Sequence, residues 1–205
     1  MTEREKMLSG RLYDCTDPEL SAMRGHARRL CANYNAADPG DAGKLAGILR
    51  ELLPRRGEGT ALRAPIRFDY GLFTTFGARC YANYGLTVLD CCPVTIGDDV
   101  FFGPDCSLLT PMHPLLAEER AMRFHADGSM YDLEYALPIT IGNGCWIAGN
   151  VTICGGVTIG AGSVIGAGSV VTRDVPAGVF AAGNPCRVIR AITEKDSIRY
   201  KKDLY

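Results

Sequence analysis

From Ile141 onward the chain divides into blocks of six residues: Ile-Gly-Asn-Gly-Cys-Trp, Ile-Ala-Gly-Asn-Val-Thr, Ile-Cys-Gly-Gly-Val-Thr, Ile-Gly-Ala-Gly-Ser-Val twice, then Val-Thr-Arg-Asp-Val-Pro. An aliphatic residue returns at Ile141, Ile147, Ile153, Ile159, Ile165 and Val171 without a slip. The same phase runs back through Leu108, Phe102 and Ile96, and more weakly to Leu72 and Ile66. Period six is neither the 3.6 of an amphipathic helix nor the alternation of a flat strand. It predicts a mainly β solenoid in which each block is a short strand and a turn, three blocks close one triangular coil, and each leading aliphatic stacks on its counterpart one coil away. An antiparallel sandwich would space its strands about 8 to 12 residues apart with irregular phase.

The second inward position, four after the aliphatic, carries small residues: Cys106, Cys145, Val151, Val157, Ser163, Ser169 and Val175. A narrow triangular interior requires that. Glycine follows the aliphatic at Gly97, Gly103, Gly142, Gly160 and Gly166, as expected where a corner has no room for a Cβ. Ahead of the repeat, residues 1–58 read as a helical subdomain. Thr2 and Glu5 make a capping box, and Asp17-Pro18 makes an N-cap followed by a first helical residue. Leu20, Met23, Ala27, Leu30 and Tyr34 then form one apolar face, Asp38 to Asp41 breaks the helix, and a second helix is expected over Ala42–Leu53. The solenoid is assigned to residues 59–190 and a tail to 191–205. Between Leu108 and Ile141 lie far more residues than one coil holds, so an excursion loop of about 110–137 must leave the scaffold.

Composition narrows the chemistry. Twenty-two Lys and Arg against twenty-three Asp and Glu leave a formal charge of −1, without the field that gathers nucleic acid. No apolar run reaches membrane-spanning length and the charged N-terminus lacks a signal-peptide core, so the expected compartment is the cytoplasm, with no membrane partner. Nine cysteines without framework spacing read as reduced, mostly structural thiols. The histidines are His26, His113 and His125, and no ligand set has zinc spacing, so no metal is expected. His113 lies at the start of the excursion, in Thr110-Pro111-Met112-His113-Pro114, where prolines on both sides limit backbone freedom. A rigidly held imidazole can accept a proton near neutral pH; a surface histidine without a task is the other reading.

These residues meet a family pattern. The chain resembles the maltose, galactoside and nodulation-type O-acetyltransferases of the hexapeptide-repeat superfamily. The likeness rests on Glu5 to Tyr13, Phe68-Asp69-Tyr70-Gly71, Tyr81-Ala82-Asn83-Tyr84, Leu89-Asp90, Met112-His113-Pro114, Pro138 to Gly142 and Gly183 to Ile189. The resemblance implies a left-handed parallel β-helix, a homotrimer with its site in the groove between neighbouring solenoids, acetyl-CoA as co-substrate and a sugar-like acceptor. It implies His113 as general base drawing the proton from an acceptor hydroxyl, with no cysteine nucleophile. Asn83 would hydrogen-bond the reacting oxygen, unless it only stabilises a turn. On the acceptor side it points to Asp69, Tyr81, Asp90 and Glu134. Glu134 would bind a sugar hydroxyl or orient the imidazole, and Asp90 has a structural turn role as its alternative. For acetyl-CoA it points to Ala148, Gly149, Ala167, Thr172, Arg173, Arg187 and Arg190. Trp146 would lie on the pantetheine arm or pack between subunits.

The tail supports an anionic ligand, with Arg187, Arg190, Lys195, Arg199, Lys201 and Lys202 outnumbering Glu194, Asp196 and Asp203. The chain departs from the galactoside enzymes, which have serine at the position of Asp69, lysine at that of Arg173 and acidic residues at those of Cys15 and Cys91, so galactoside specificity does not carry over. Three alternatives stand beside this reading. A zinc carbonic anhydrase on the same solenoid needs three converging histidines, a non-catalytic scaffold would not need Asn83 and His113, and an antibiotic or other xenobiotic acetyltransferase would use the same mechanism.

Overall fold

Six-residue steps build a prism with three parallel faces. In the computed structural model, which describes residues 1–201 and 203, the first face stacks Ala61–Leu62, Tyr81–Ala82, Phe101–Phe102, Trp146–Ile147, Val164–Ile165 and Val179–Ala182. The second stacks Ile66–Phe68, Leu86–Leu89, Ser107–Leu109, Thr152–Cys154 and Val170–Val171. The third stacks Thr74–Phe76, Val94–Ile96, Ile139–Ile141 and Thr158–Ile159. Together they form a left-handed parallel β-helix of about six turns. Its interior is the predicted column: Ile141, Ile147, Ile153, Ile159, Ile165 and Val171 are buried, as are Cys106, Cys145, Val151, Val157, Ser163 and Ser169. Each fully buried aliphatic contributes about 1.5–3 kcal/mol relative to an exposed one, so the column is the main source of stability. The two serines are tolerated there because both are bonded, Ser163 donating to the Pro176 carbonyl and Ser169 to that of Gly166.

The corner glycines owe their identity to stacking. A Cβ on Gly103 would overlap the backbone of Gly149 one coil above, and one on Gly160 would overlap that of Ala177. The backward phase needs correcting. Ile96 stacks on Phe76 and Val88 on Phe68, because the corners after Phe68 and after Val88 are each two residues longer than the regular step. Leu72, expected in phase, is therefore 37% exposed, and Ile66 fills the second inward position opposite Leu86. The last corner is shorter, so that Val175 rather than a later residue lies beside Ile159.

The N-terminal segment covers the edge with the long corners. Helix α1 (Glu3–Leu8) starts at the Thr2/Glu5 capping box, α2 (Pro18–Ala36) starts at Asp17, and α3 (Ala42–Leu52) starts at Asp41. Leu20, Ala27, Leu30 and Tyr34 of α2 are buried, while Met23 is half-buried. A second apolar cluster joins Met7, Tyr13 and Leu20 to Tyr70, Phe73, Cys91, Cys92 and Ala136, which bolts this segment to the long corners. The excursion departs at Thr110, whose hydroxyl donates to the Leu89 carbonyl and accepts from the Cys92 N–H. It returns where the Leu137 N–H donates to the Thr110 carbonyl. Its two ends, Pro111–Met112 and Leu133–Ala136, pair antiparallel, and the second also pairs with Tyr13–Asp14. No helix among the described residues is long and apolar enough to cross a membrane. Of the tail, Lys202, Leu204 and Tyr205 lie outside the described residues.

Candidate active site

A cavity of about 450 Å³ lies under the base of the excursion, lined by Cys15, Arg24, Arg28, Asp69, Leu89, Cys91, Leu109, Pro111, His113 and Glu134. Every contributor has a local reason to be there. Asp69 occupies the lengthened corner after Phe68, Leu89 and Cys91 the one after Val88, and His113 follows the short strand pinned to Leu133–Ala136. Arg24 and Arg28 reach down from α2. The Arg24 guanidinium donates to the Tyr70 hydroxyl (2.9 Å) and the Cys15 carbonyl (2.6 Å). Arg28 lies 3.8 Å from Asp69.

Burial pushes the Asp69 carboxyl above its ordinary range, with Arg28 and Arg24 opposing and Glu134 adding to the rise. The Glu134 carboxylate accepts from the Tyr13 hydroxyl at 2.8 Å. His113 Nδ1 is 3.3 Å from Asp132, a residue that no sequence pattern had marked. The other Asp132 oxygen accepts from the Cys15 thiol at 3.2 Å. Cys15, Asp132 and Glu134 thus bring ligand-type atoms within 4.8 Å of one another, the one such group among the described residues. The Cys15 thiol is pushed up to about 12 by burial, with the charges of Glu134 and Asp132 reinforcing the shift, so it is a hydrogen-bond donor near neutral pH. That bond accounts for the grouping without an ion. Cys91 is likewise raised, first by burial and then by Asp69. Neither thiol has the depressed pKa of a nucleophile.

Of the acceptor-side residues singled out by sequence, the cavity joins Asp69, His113 and Glu134. Asp90 stands outside its wall and is fully buried, accepting from the Tyr70 N–H (2.8 Å), the Phe73 N–H (3.3 Å) and the Thr74 hydroxyl (3.0 Å), which is the structural turn role. Tyr81 and Asn83 lie on the first face and at the edge after it. The Tyr81 ring is 6.5 Å from Phe101, and Asn83 accepts from the Tyr84 N–H at 2.8 Å. Ala148, Gly149 and Ala167 follow first-face strands along that same edge, whereas exposed Thr172 and Arg173 follow Val170–Val171 on the edge that carries Asp69. Trp146, 54% exposed, and Arg190 border a separate cavity of about 330 Å³ with Val164, Phe180, Ile192, Asp196 and Lys201. Arg190 is paired with Asp196 at 2.6 Å, and exposed Arg187 donates to the Cys186 carbonyl.

The fold and the repeat define a hexapeptide-repeat transferase: residues 138–173 match the bacterial transferase hexapeptide model of six repeats, and residues 6–57 match the maltose acetyltransferase hexapeptide capping motif. The chain is 39% identical to galactoside O-acetyltransferase of Escherichia coli over 99% of its own length and 96% of the relative's. It superposes on a maltose O-acetyltransferase from Clostridium difficile with TM-score 0.87 and 41% identity, covering 95% of this chain and 99% of that one. It superposes on a galactoside acetyltransferase in complex with coenzyme A with TM-score 0.87 and 39% identity, covering 96% and 94%. The chain belongs to the maltose and galactoside O-acetyltransferase family. It is an acetyl-CoA-dependent O-acetyltransferase, with acetyl-CoA as co-substrate.

Proposed function

We propose that the chain transfers the acetyl group of acetyl-CoA to a hydroxyl of a sugar-like acceptor, by direct attack with His113 as general base, as a cytoplasmic homotrimer. The observation that carries this reading is the cavity in which one imidazole faces Asp69, Glu134, Arg24 and Arg28, a polar wall of the kind that holds a polyhydroxylated molecule. In the reaction the imidazole takes the hydroxyl proton as the oxygen bonds to the thioester carbonyl carbon. The resulting oxyanion collapses, the C–S bond breaks, and the thiolate leaves with the proton returned by the imidazolium. The raised pKa values of Cys15 and Cys91 support a route without an acetyl-cysteine.

Asn83, Tyr81, Ala148, Gly149 and Ala167 belong in this reading to the neighbouring copy's side of the site. A groove between adjacent solenoids sets one molecule's first edge against the next molecule's His113 edge, with acetyl-CoA lying along it. Thr172, Arg173, Arg187 and Arg190 then bind phosphates, and Trp146 packs in the same groove. Thiol release from acetyl-CoA is to be measured across a panel of mono-, di- and aminosugars and hydroxylated antibiotics. His113→Ala is expected to lower turnover on the best acceptor at least about a hundredfold while leaving the calorimetric affinity for acetyl-CoA within about twofold. Turnover at the wild-type rate in that variant removes the base assignment.

A further inference from the structure

Two carboxylates lie beside the cavity on one strand and its approach, and they have different partners. Glu134 is part of the cavity wall and accepts from the Tyr13 hydroxyl. Asp132 is not part of that wall. It lies on the Nδ1 side of His113, 3.3 Å away, with 19% of its side chain exposed against 46% for the imidazole. Its second oxygen is occupied by the Cys15 thiol, a donor that keeps its proton because burial raises its pKa.

The backbone around Asp132 is fixed on both sides. Leu133 and Glu134 pair with Asp14 and Tyr13, and Tyr135 pairs with Met112, the residue before His113. On the other side, Tyr131 stacks on His125 at 4.2 Å, and His125 Nε2 is 3.0 Å from Asp14. Imidazole and carboxylate therefore flank two strands that are hydrogen-bonded to each other, His113 directly after Pro111–Met112 and Asp132 directly before Leu133–Ala136, so the sheet anchors the backbone next to both.

Resting on the reading of His113 as base, we propose that Asp132 is a positioning residue for it. Asp132 accepts the Nδ1–H, which holds the lone pair on Nε2, and its charge stabilises the imidazolium formed when Nε2 takes the hydroxyl proton. The proton that arrives on Nε2 leaves from Nε2 to the departing thiolate. Glu134 then remains available to the acceptor, with Arg24 and Arg28 as the cations of the same pocket. A stability role does not account for the pair, since an ion pair with a half-exposed partner is worth little to the fold.

The test is a double-mutant cycle on the full-length protein, read as kcat and KM for acetyl-CoA and for the best acceptor. Asp132→Asn is expected to lower kcat about tenfold to a hundredfold, with both KM values within about threefold of wild type. In the His113→Ala background the same substitution is expected to cost nothing further, because the group it acts through is gone. Asp132→Glu, which keeps the charge one methylene further out, should recover part of the lost kcat and serves if the asparagine variant does not fold. Wild-type kcat in Asp132→Asn, or an equal loss in both backgrounds, overturns the positioning role while leaving His113 as base. Wild-type turnover in His113→Ala overturns both.

Discussion

Along the edge where the first face turns into the second, the step is six residues in every coil, from Leu62 to Phe68, Ala82 to Val88, Phe102 to Leu108, Ile147 to Ile153 and Ile165 to Val171. The edge where the second face turns into the third never settles. Its corners run from Phe68 to Phe76, from Val88 to Ile96, through the whole excursion from Leu108 to Ile141, then back to six residues from Ile153 to Ile159. A corner of fixed length has its residues chosen by the coil above, as the overlap shows at Gly103 on the first-to-second edge and at Gly160 on the third-to-first edge, where the step from Ile159 to Ile165 is also six. A longer corner frees side chains from stacking. The cavity wall at Asp69, Leu89, Cys91 and His113 is drawn from those longer corners.

The sharpest way to break that contrast is one substitution type on both sides of it. Gly160→Ala puts a methyl into the backbone of Ala177, where neither partner can yield, and is expected to cost on the order of 2–4 kcal/mol. Gly128→Ala, in the excursion, has open space for its methyl and only the strain of its φ of +84°. It should cost about 1 kcal/mol, confined to the loop, and leave the global melting temperature unchanged. Thermal unfolding of the pair decides it, and a Gly160→Ala protein that melts with wild type would show that the stacked coils have slack.

Asp90→Ala comes next. Removing its carboxylate strands the Tyr70 and Phe73 N–H groups in the interior, at a cost of about 2–3 kcal/mol and a fall in Tm of roughly 5–10 °C. An unchanged Tm with a weakened acceptor KM would return Asp90 to the acceptor pocket and make that corner chemical rather than structural.

The same contrast explains what could be read from the chain. Wherever the step is six, each residue's neighbour follows by counting, so the column from Ile96 to Val171, its small second positions and its glycines were legible. Counting failed at Leu72 because two extra residues in a corner leave no periodic mark. Helix α2 was legible from Asp17-Pro18 and its apolar stripe. His113 stood out because prolines frame it. Asp132 did not, since its place beside the imidazole comes from antiparallel pairing between Tyr13–Asp14, Leu133–Ala136 and Pro111–Met112, segments far apart in the chain. Nor could spacing tell that Asp90 would be consumed by backbone donors while Asp69, at the previous long corner, would face the cavity.

Asp69 offers the finest discrimination, because here the freed side chain carries an energetic cost that depends on pH. Its folded-state pKa is raised, mainly by burial, so the folded chain binds this proton more tightly than the unfolded chain does. Below the unfolded value near 4 the carboxyl is neutral in both states and costs nothing. As pH climbs through the folded-state value the cost of a buried charge accumulates, and by neutral pH it is fully present. Asp69→Asn removes that charge and is expected to raise Tm by about 1–3 °C at pH 7 and by nothing at about pH 2.5, well below the unfolded value. Its kcat/KM for the acceptor should meanwhile fall about tenfold. A corner residue kept for packing would show neither effect, and a fall in Tm at pH 7 would mean that attraction to Arg28 at 3.8 Å outweighs burial. A more stable and less active variant is what a side chain retained for chemistry at the expense of the fold must produce.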